Sequence, residues 1–387
     1  MESYQAQSSQ LPRNTVMVLR GNNEEELSYW KQRFMFEAEM DIAVSKLDPL
    51  GADDFFQDIL PEFNYRMAPS EIMRMAFFII PSLEEISKYD LLSARAAMRD
   101  LGMIAASLRR HDVHVADFRE LRDALVRLSA ITAEVPRDTV FSYGPRNPSD
   151  ERQRRFTKRP EEEIFIKSFI SGMKGLGNCI MLLPALLSRP VDSPGFLDAC
   201  RDMTKQFQAM VSAIVQVREQ IPPAVFTAEL RPYFEPIRIN AVEYFAPGGA
   251  QMPMLIVDQL LWGSNCTTPS YLKYCEENLV YLPPFFREFS SYYRKKKSIV
   301  TRVHEEYGGG KVVTEPERQG IQMLVNFLTR IMSFRAPHQR VAEANFALRS
   351  RFAVGSGGYT PAVLGELIEK TQQAQHILRS VLKHKRG

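Results

Sequence analysis

The stretch that decides the fold is Ile321 to His338, with the sequence IQMLVNFLTRIMSFRAPH. Its apolar residues recur at intervals of three and four, which is the spacing of one face of an α-helix. The stretch therefore predicts a long helix that buries one face, and Pro337 is expected to end that helix and begin another. His338 then falls in a first turn, with its ring projecting sideways. The apolar positions are Ile321, Leu324, Val325, Leu328 and Ile331.

The same periodicity recurs along the chain. Further stripes of apolar residues at helical spacing lie at 118–131, 207–215 and 364–382. Thr360 is suited to cap the last helix, and Pro361 is suited to its first position. We find no convincing run of alternating apolar and polar residues with hairpin turns, which would be typical of strands. The sequence therefore predicts a nearly all-α fold of packed helices.

Breaks in composition predict three parts. Residues 1–25 are polar and are expected to form a tail, residues 26–145 form a smaller N-terminal helical domain, and residues 146–387 form a larger helical domain. Residues 135–160 combine four prolines with a dense cluster of charges. This composition predicts a long surface connection between the two domains. A second irregular stretch is expected at 302–316.

Composition excludes several classes of protein. The chain has 387 residues, and 49 Lys and Arg against 46 Asp and Glu give a formal net charge of +3. This charge provides no polyelectrolyte attraction to nucleic acid. The longest apolar stretch, Cys179 to Leu187, is shorter than the ~20 residues that span a bilayer, and no secretory signal is recognisable. The four cysteines form no CxxC pair. We therefore expect a cytoplasmic protein with no nucleic-acid or membrane partner.

Few residues point to chemistry by themselves. The glycine-rich nucleotide motifs, HExxH and GxSxG are absent from the sequence. His338 stands apart from the other histidines because it follows Pro337, and both a ligand role and a buried structural role remain open. The loop Gly355 to Gly358 favours a backbone that approaches a ligand closely, with a plain interhelical turn as the alternative. Asp258, in an apolar helix, is expected to be a buried acid with a fixed hydrogen-bond partner.

Four segments resemble motifs of the indoleamine/tryptophan 2,3-dioxygenase haem superfamily, and they occur in that superfamily's order. Phe226 to Tyr233 is similar to its F-x-x-x-x-R-P-[FW] motif, and Gly249 to Gly263 is similar to its G-x-A-Q…D-x-L-L-G run. Ala336 to His338 resembles the P-x-H segment that supplies the axial histidine. Gly355 to Gly358 resembles the GTGG loop.

Further segments resemble the monodechloroaminopyrrolnitrin synthase-like branch of this superfamily. They include AAMRDLG at 96–102, ELRPYFEPIR at 229–238, FRAPH at 334–338 and GSGGYTPAVLGEL at 355–367. The resemblance covers about residues 90–383. It implies a role in antibiotic biosynthesis from a chlorinated tryptophan.

The resemblance implies an indoleamine 2,3-dioxygenase-like helical domain that binds haem b at residues 146–387. His338 would be the axial ligand and therefore the metal-binding residue. A neutral imidazole leaves the opposite face of ferrous iron open to dioxygen. Arg335 is expected either to contact a haem propionate or to form a salt bridge at a helix end.

The resemblance also implies a substrate site. Arg231 would bind the substrate carboxylate through its planar fork, and Phe226 would pack against the aromatic ring. Ser356 would be the catalytic hydroxyl and would bond the amino-acid head group, with Gly357 beside it. Phe346 is assigned to the same site, although the branch carries a tyrosine eight residues after its axial histidine. The missing hydroxyl is expected to change substrate binding or the reaction.

These residues predict a haem-dependent oxygenase that uses dioxygen to oxidise or rearrange the indole ring of tryptophan or of a chlorinated tryptophan. One alternative is a haem-dependent hydroxylase of another aromatic amino acid, such as tyrosine. The other is a non-catalytic haem-binding module. The expected partners are the aromatic amino acid and dioxygen, while the reductant is left open.

Overall fold

A computed structural model describes residues 23–348 and 354–383 of the chain, and it confirms the all-α prediction. The helices run Asn23–Ser45 (α1), Leu60–Tyr65 (α2), Pro69–Ile79 (α3), Leu83–Ile86 (α4), Leu91–Arg110 (α5), Arg119–Thr132 (α6), Val140–Tyr143 (α7), Pro160–Ser188 (α8), Pro194–Gln220 (α9), Pro223–Val225 (α10), Met254–Leu261 (α11), Pro269–Leu279 (α12), Pro284–Tyr293 (α13), Ile299–Tyr307 (α14), Glu315–Ala347 (α15) and Ala362–Lys383 (α16). Short π-helical turns lie at Phe55–Ile59 and Phe226–Leu230, and 3₁₀ turns lie at Val115–Asp117, Arg231–Tyr233, Gly249–Gln251 and Gly263–Asn265.

Helices α8 and α9 form an antiparallel pair at the centre of the larger hydrophobic cluster. Their backbones approach closely at Gly175, where a Cβ would lie 2.6 Å from the carbonyl oxygen of Gln206. One turn further along, the Cys179 thiol donates to the carbonyl oxygen of Met203 at 3.3 Å. Helices α15 and α16 pack on this pair in sequence, α9 against α15 and α15 against α16. These four helices carry half of the residues that line the cavity described below.

Helix α15 corrects the prediction for Pro337. The helix is continuous from Glu315 to Ala347 and contains Pro337, so His338 lies within the helix and not in the first turn of a new one. A proline inside a helix costs about 3 kcal/mol, because it removes one hydrogen bond and crowds the preceding turn. Burial of Phe334 and Arg335 one turn earlier compensates for this cost. Tertiary packing therefore overrides the local signal to stop.

Residues 135–160 also differ from the prediction, because most of this stretch is buried and does not form a surface connection. The guanidinium of Arg146 bonds both carboxylate oxygens of Glu134, at 2.6 and 3.0 Å. The guanidinium of Arg154 bonds Asp100 at 3.1 Å. Carboxylates from other segments thus pair with the charges, which allows a charge-dense stretch to lie in the interior.

A two-stranded hairpin is the exception to the helical fold among the described residues. Ile237–Ile239 (β1) pairs antiparallel with Val242–Tyr244 (β2). The two turn residues, Asn240 and Ala241, have φ values of 49° and 66°, which match the primed turns that favour tight hairpins. Three-residue strands are too short to show alternation in a sequence, so the pattern gave no signal for them.

The predicted irregular stretch at 302–316 is shorter in the structure. Helices α14 and α15 leave only residues 308–314 between them.

Helix α8 is the one helix within residues 23–348 and 354–383 that is long and apolar enough to cross a membrane by length and composition alone. The apolar stretch noted in the sequence, Cys179 to Leu187, is only part of this helix. In the structure 56% of its apolar window is buried in the protein, and it packs against α9. Core helices meet the same criterion, so one such helix is weak evidence for a membrane span.

The hydrophobic interior forms two clusters. One is centred on α5 and α6, and it also takes in the hairpin β1–β2. The other contains α8, α9 and α15, and Trp30 and Phe34 of α1 pack into it. Segments on both sides of residue 145 thus contribute to each cluster. The domain boundaries at 25/26 and 145/146 stay predictions.

Candidate active site

A cavity of about 480 Å³ opens between α8, α9, the turn after α10, α15 and the loop before α16. Its volume falls within the range of about 300–1,000 Å³ that is typical of small-molecule and cofactor sites. Every residue of its wall lies between 165 and 367, inside the predicted larger domain. The cavity brings together all the residues that the sequence assigned to the site: Phe226, Arg231, Arg335, His338, Phe346, Ser356 and Gly357.

His338 presents a free imidazole to this cavity. The Phe334 ring stacks on it with a centroid distance of 5.4 Å and an interplanar angle of 28°. Among the residues that the structure describes, none forms a hydrogen bond with this imidazole. Burial, together with the neighbouring Arg335 charge, lowers the pKa of His338 to about 4. The ring is therefore neutral at neutral pH, and a nitrogen lone pair is available to a metal.

The surroundings of His338 fit a haem. A Cβ on Gly249 would lie 3.1 Å from Cε1 and 3.2 Å from Nε2 of His338, so glycine keeps this edge of the ring clear. Within the described ranges, no three His, Cys, Asp or Glu residues group together as a metal site. A single imidazole is too few ligands for a metal held by protein alone, but it is the usual ligand set for haem iron.

Arg335 lines the cavity and forms an interior ion pair. Its Nη2 donates to Oδ2 of Asp258, and its Nη1 donates to Thr371 and, at 2.9 Å, to the carbonyl oxygen of Leu367. Burial raises the pKa of Asp258, and the Arg335 charge acts in the opposite direction. The expected buried partner of Asp258 is thereby identified. Arg335 thus forms a salt bridge, but in the middle of α15 and not at a helix end as expected; its contact with a haem propionate stays a prediction.

Phe226 and Arg231 reach the cavity together because the backbone between them forms a π-helical turn. The N–H of Arg231 bonds the carbonyl oxygen of Phe226, five residues earlier, which aligns the two residues along the turn. An α-helix would place residues five apart on different faces. The Arg231 guanidinium donates to the carbonyl oxygens of Phe234 at 2.6 Å and Val354 at 3.0 Å. The Phe226 ring packs 5.5 Å from that of Phe165.

The glycine-rich loop forms part of the cavity wall, as its composition suggested. Gly355 donates to the carbonyl oxygen of Tyr359 at 2.8 Å, and Gly358 donates to that of Gly355 at 2.9 Å, so the loop is a closed turn. Ser356 lies against Gly248, where a Cβ would come within 2.7 Å of its Oγ. The Ser356 hydroxyl is therefore held beside the backbone that also borders His338.

Sequence reasoning missed most of the apolar wall. Phe165 and Phe169 reach the cavity from α8, and Met210 and Ile214 reach it from α9. In the sequence Met210 and Ile214 belong to the stripe at 207–215, and Phe165 and Phe169 lie one helical turn apart. Nothing distinguishes a stripe that lines a cavity from one that fills a core. Tyr274 of α12, which also lines the cavity, has no sequence signal.

The fold and the site agree with one class of protein. A helical fold around a cavity with one neutral histidine, an aromatic wall and buried arginines suits a haem-dependent oxygenase of the tryptophan dioxygenase superfamily, and the family match shows that class. Within that class, the family model for monodechloroaminopyrrolnitrin synthase PrnB matches residues 76–385. The chain belongs to this family.

Membership of the family establishes the general chemistry. The protein is an enzyme that uses haem iron and dioxygen on a tryptophan-derived substrate in natural-product biosynthesis. The alternative of a non-catalytic haem-binding module is therefore wrong.

Proposed function

We propose that this enzyme binds haem b through His338 and oxidises or rearranges the indole ring of tryptophan or of a ring-chlorinated tryptophan. The observation that carries the proposal is the shared cavity, which is lined by the free imidazole of His338 together with Arg231, Phe226 and Ser356. When bound, the haem supplies the redox chemistry with dioxygen. The protein binds and orients the substrate.

Arg231 binds the substrate carboxylate. Its guanidinium is buried and reaches the carbonyl oxygen of Val354 at the start of the glycine-rich loop. A carboxylate is a stronger acceptor than a neutral carbonyl, so the bound amino acid takes over donors of this fork. Phe226 packs against the indole ring, which adds about 0.5–1.5 kcal/mol to the burial of the ring itself.

Ser356 bonds the amino-acid head group and serves as the catalytic hydroxyl. Its neighbour Gly357 has no side chain to block the approach of the ligand. Phe346 also lines the cavity, eight residues after His338, and contributes only an apolar surface. The missing hydroxyl at 346 leaves Ser356 as the hydroxyl that we assign to the substrate head group.

Product analysis tests this proposal. The haem-loaded enzyme, with dioxygen and a reductant, is expected to consume L-tryptophan or 7-chlorotryptophan and to yield a product altered at C2 or C3 of the indole. L-Tyrosine is the matched comparison substrate. A hydroxylated product from tyrosine, with both tryptophans unchanged, would overturn the indole proposal in favour of the hydroxylase alternative.

A cytoplasmic location also stays a prediction. It agrees with the burial of Cys179, Cys200 and Cys275 as free thiols, which pack as small apolar side chains.

A further inference from the structure

The glycine-rich loop packs closely against the segment 248–250 of the cavity wall. Each of the two segments contributes a glycine to the contact. A Cβ on Gly357 would lie 3.0 Å from the Cβ of Ala250, and one on Gly248 would lie 2.7 Å from Oγ of Ser356. The adjoining Gly249 lies against the His338 imidazole. Close contacts through Gly248 and Gly249 therefore connect the Ser356 hydroxyl to the imidazole of His338. A shift of the glycine-rich loop changes the distance between these two side chains.

Tyr359 ties the end of this loop to α12. Its hydroxyl donates to Oε2 of Glu277 at 2.6 Å and accepts from Nδ2 of Asn278 at 2.9 Å. Asn278 is itself buried and also donates to the carbonyl oxygen of Tyr274, at 2.7 Å. The rings of Tyr274 and Tyr359 lie 5.5 Å apart. Two hydrogen bonds and a ring contact thus fix the direction of the Tyr359 side chain.

The contacts of Tyr359 with α12 continue to the cavity wall through Tyr274. The Tyr274 hydroxyl donates to the carbonyl oxygen of Ala250 at 3.3 Å. Ala250 is the residue against which Gly357 packs. Tyr359, Asn278 and Tyr274 therefore join the loop and the wall into one hydrogen-bonded unit.

Arg231 holds the other end of the loop through the carbonyl oxygen of Val354, at 3.0 Å. Because Arg231 is the proposed carboxylate ligand, substrate binding competes with this contact. Tyr359 also lines the cavity, but its hydroxyl bonds Glu277 and Asn278 of α12 and takes no part in that competition. The Tyr359 contacts therefore keep the loop in place when the substrate enters.

We propose that Tyr359 is a positioning residue for substrate recognition, which holds Ser356 against the amino-acid head group through its hydrogen bonds to Glu277 and Asn278. The proposal rests on the proposed function for the identity of the substrate. Tyr359 acts through the loop and not on the reacting atoms. Its loss weakens ligands that carry an amino-acid head group and spares those that lack one.

The variant Tyr359→Phe removes both hydrogen bonds and keeps the ring beside Tyr274. We expect its Kd for L-tryptophan to rise about tenfold, while haem content and the affinity for indole, which has no head group, stay at the wild-type level. Glu277→Gln keeps an acceptor oxygen and is expected to retain most of the tryptophan affinity. Tyr292→Phe is the matched control, because it removes an equivalent tyrosine–carboxylate bond, 2.8 Å long, to Glu26 and away from the cavity.

Amide hydrogen exchange tests the tie without any substrate. The N–H groups of Gly355 and Gly358 are bonded within the loop, so Tyr359→Phe is expected to speed their exchange about tenfold and Tyr292→Phe to leave it unchanged. Unchanged exchange in Tyr359→Phe, or equal weakening of tryptophan and indole, would overturn the inference. If the wild-type enzyme binds no tryptophan at all, the proposed function fails and the substrate role of Tyr359 falls with it. Faster exchange would then still establish the tie itself.

Discussion

Replacing Gly249 with alanine is expected to weaken haem binding without unfolding the protein. The added Cβ would lie 3.1 Å from Cε1 and 3.2 Å from Nε2 of His338. Carbon atoms in favourable contact lie about 3.5–4.0 Å apart, so the imidazole has to move by a few tenths of an ångström. The stacked Phe334 ring limits the directions in which it can move.

The size of the effect follows from that displacement. A metal ligand has to be held within about 0.5 Å of its productive position, and residues that support a ligand typically change metal affinity by about 10–100-fold. A displacement near this tolerance predicts the lower end of the range, about tenfold or 1.4 kcal/mol. Gly249 begins a 3₁₀ turn that alanine also adopts, so no backbone strain adds to this value.

Titration of the haem-free protein with haem, followed by the Soret absorbance, measures the effect. Gly365→Ala is the matched control, because the nearest atom to its Cβ is Nε2 of Gln339, 3.8 Å away. It lies within α16, where alanine is expected to be neutral or to stabilise by up to about 1 kcal/mol. If Gly249→Ala binds haem as tightly as the wild type does, the reasoning that the space at Gly249 sets the position of the His338 imidazole is refuted.

Three further predictions concern Arg231, Asp258 and Glu134. Arg231→Ala is expected to weaken L-tryptophan binding at least tenfold with haem content intact. Arg238→Ala, on the exposed face of β1, is the control and is expected to leave binding unchanged. Calorimetry measures both, and equal tryptophan affinities of the two variants would exclude the carboxylate role. Asp258→Ala leaves the Arg335 charge buried and unpaired, so urea unfolding should show a loss of about 3–5 kcal/mol, and a loss under 1 kcal/mol would contradict the ion pair. Burial raises the pKa of the Glu134 carboxyl, but the neighbouring arginines outweigh this effect and hold the pKa below its usual 4.5. The contribution of Glu134 to stability is therefore present above pH 4.5 and is lost as the pH falls below that value. Glu134→Gln should therefore reduce the fall in the free energy of unfolding at acid pH. An unchanged fall would contradict the stabilising role of the Glu134 ion pairs.

Local signals mark only part of the candidate site, and the roles of Phe226, Arg231, Ser356 and Phe346 come from the family resemblance. Three glycines within four residues, and a proline directly before a histidine, mark the backbone where a ligand approaches. Arg231 follows Phe226 at a spacing that only a π-helical turn converts into a shared face. The resemblance to a haem superfamily points to Phe226, Arg231 and His338, and the cavity brings these three residues together.

The errors arose where tertiary contacts decide the structure. Pro337 is a strong local stop, and only the packing of α15 on α9 and α16 keeps the helix continuous. The charged stretch 135–160 is typical of a surface loop until its partners are known, and those partners include Asp41 and Asp100, far away in sequence. Ion pairs across such separations leave no mark on composition.

The apolar wall of the cavity shows a third limit. Phe165 of α8 and Met210 of α9 belong to stripes that bury one face of a helix, as most apolar stripes do. Whether that face meets another helix or an open cavity depends on how far apart the helices lie. That spacing is set by small residues such as Gly175 and not by the stripe itself.

The most direct test of the account is the Soret spectrum of His338→Ala after haem reconstitution, beside the wild type and His304→Ala. His304 lies on α14, outside the cavity, and so serves as the control. We predict that His338→Ala loses the histidine-ligated spectrum, that added imidazole restores it, and that His304→Ala matches the wild type. A wild-type spectrum in His338→Ala without added imidazole would contradict the central claim that this histidine holds the haem iron.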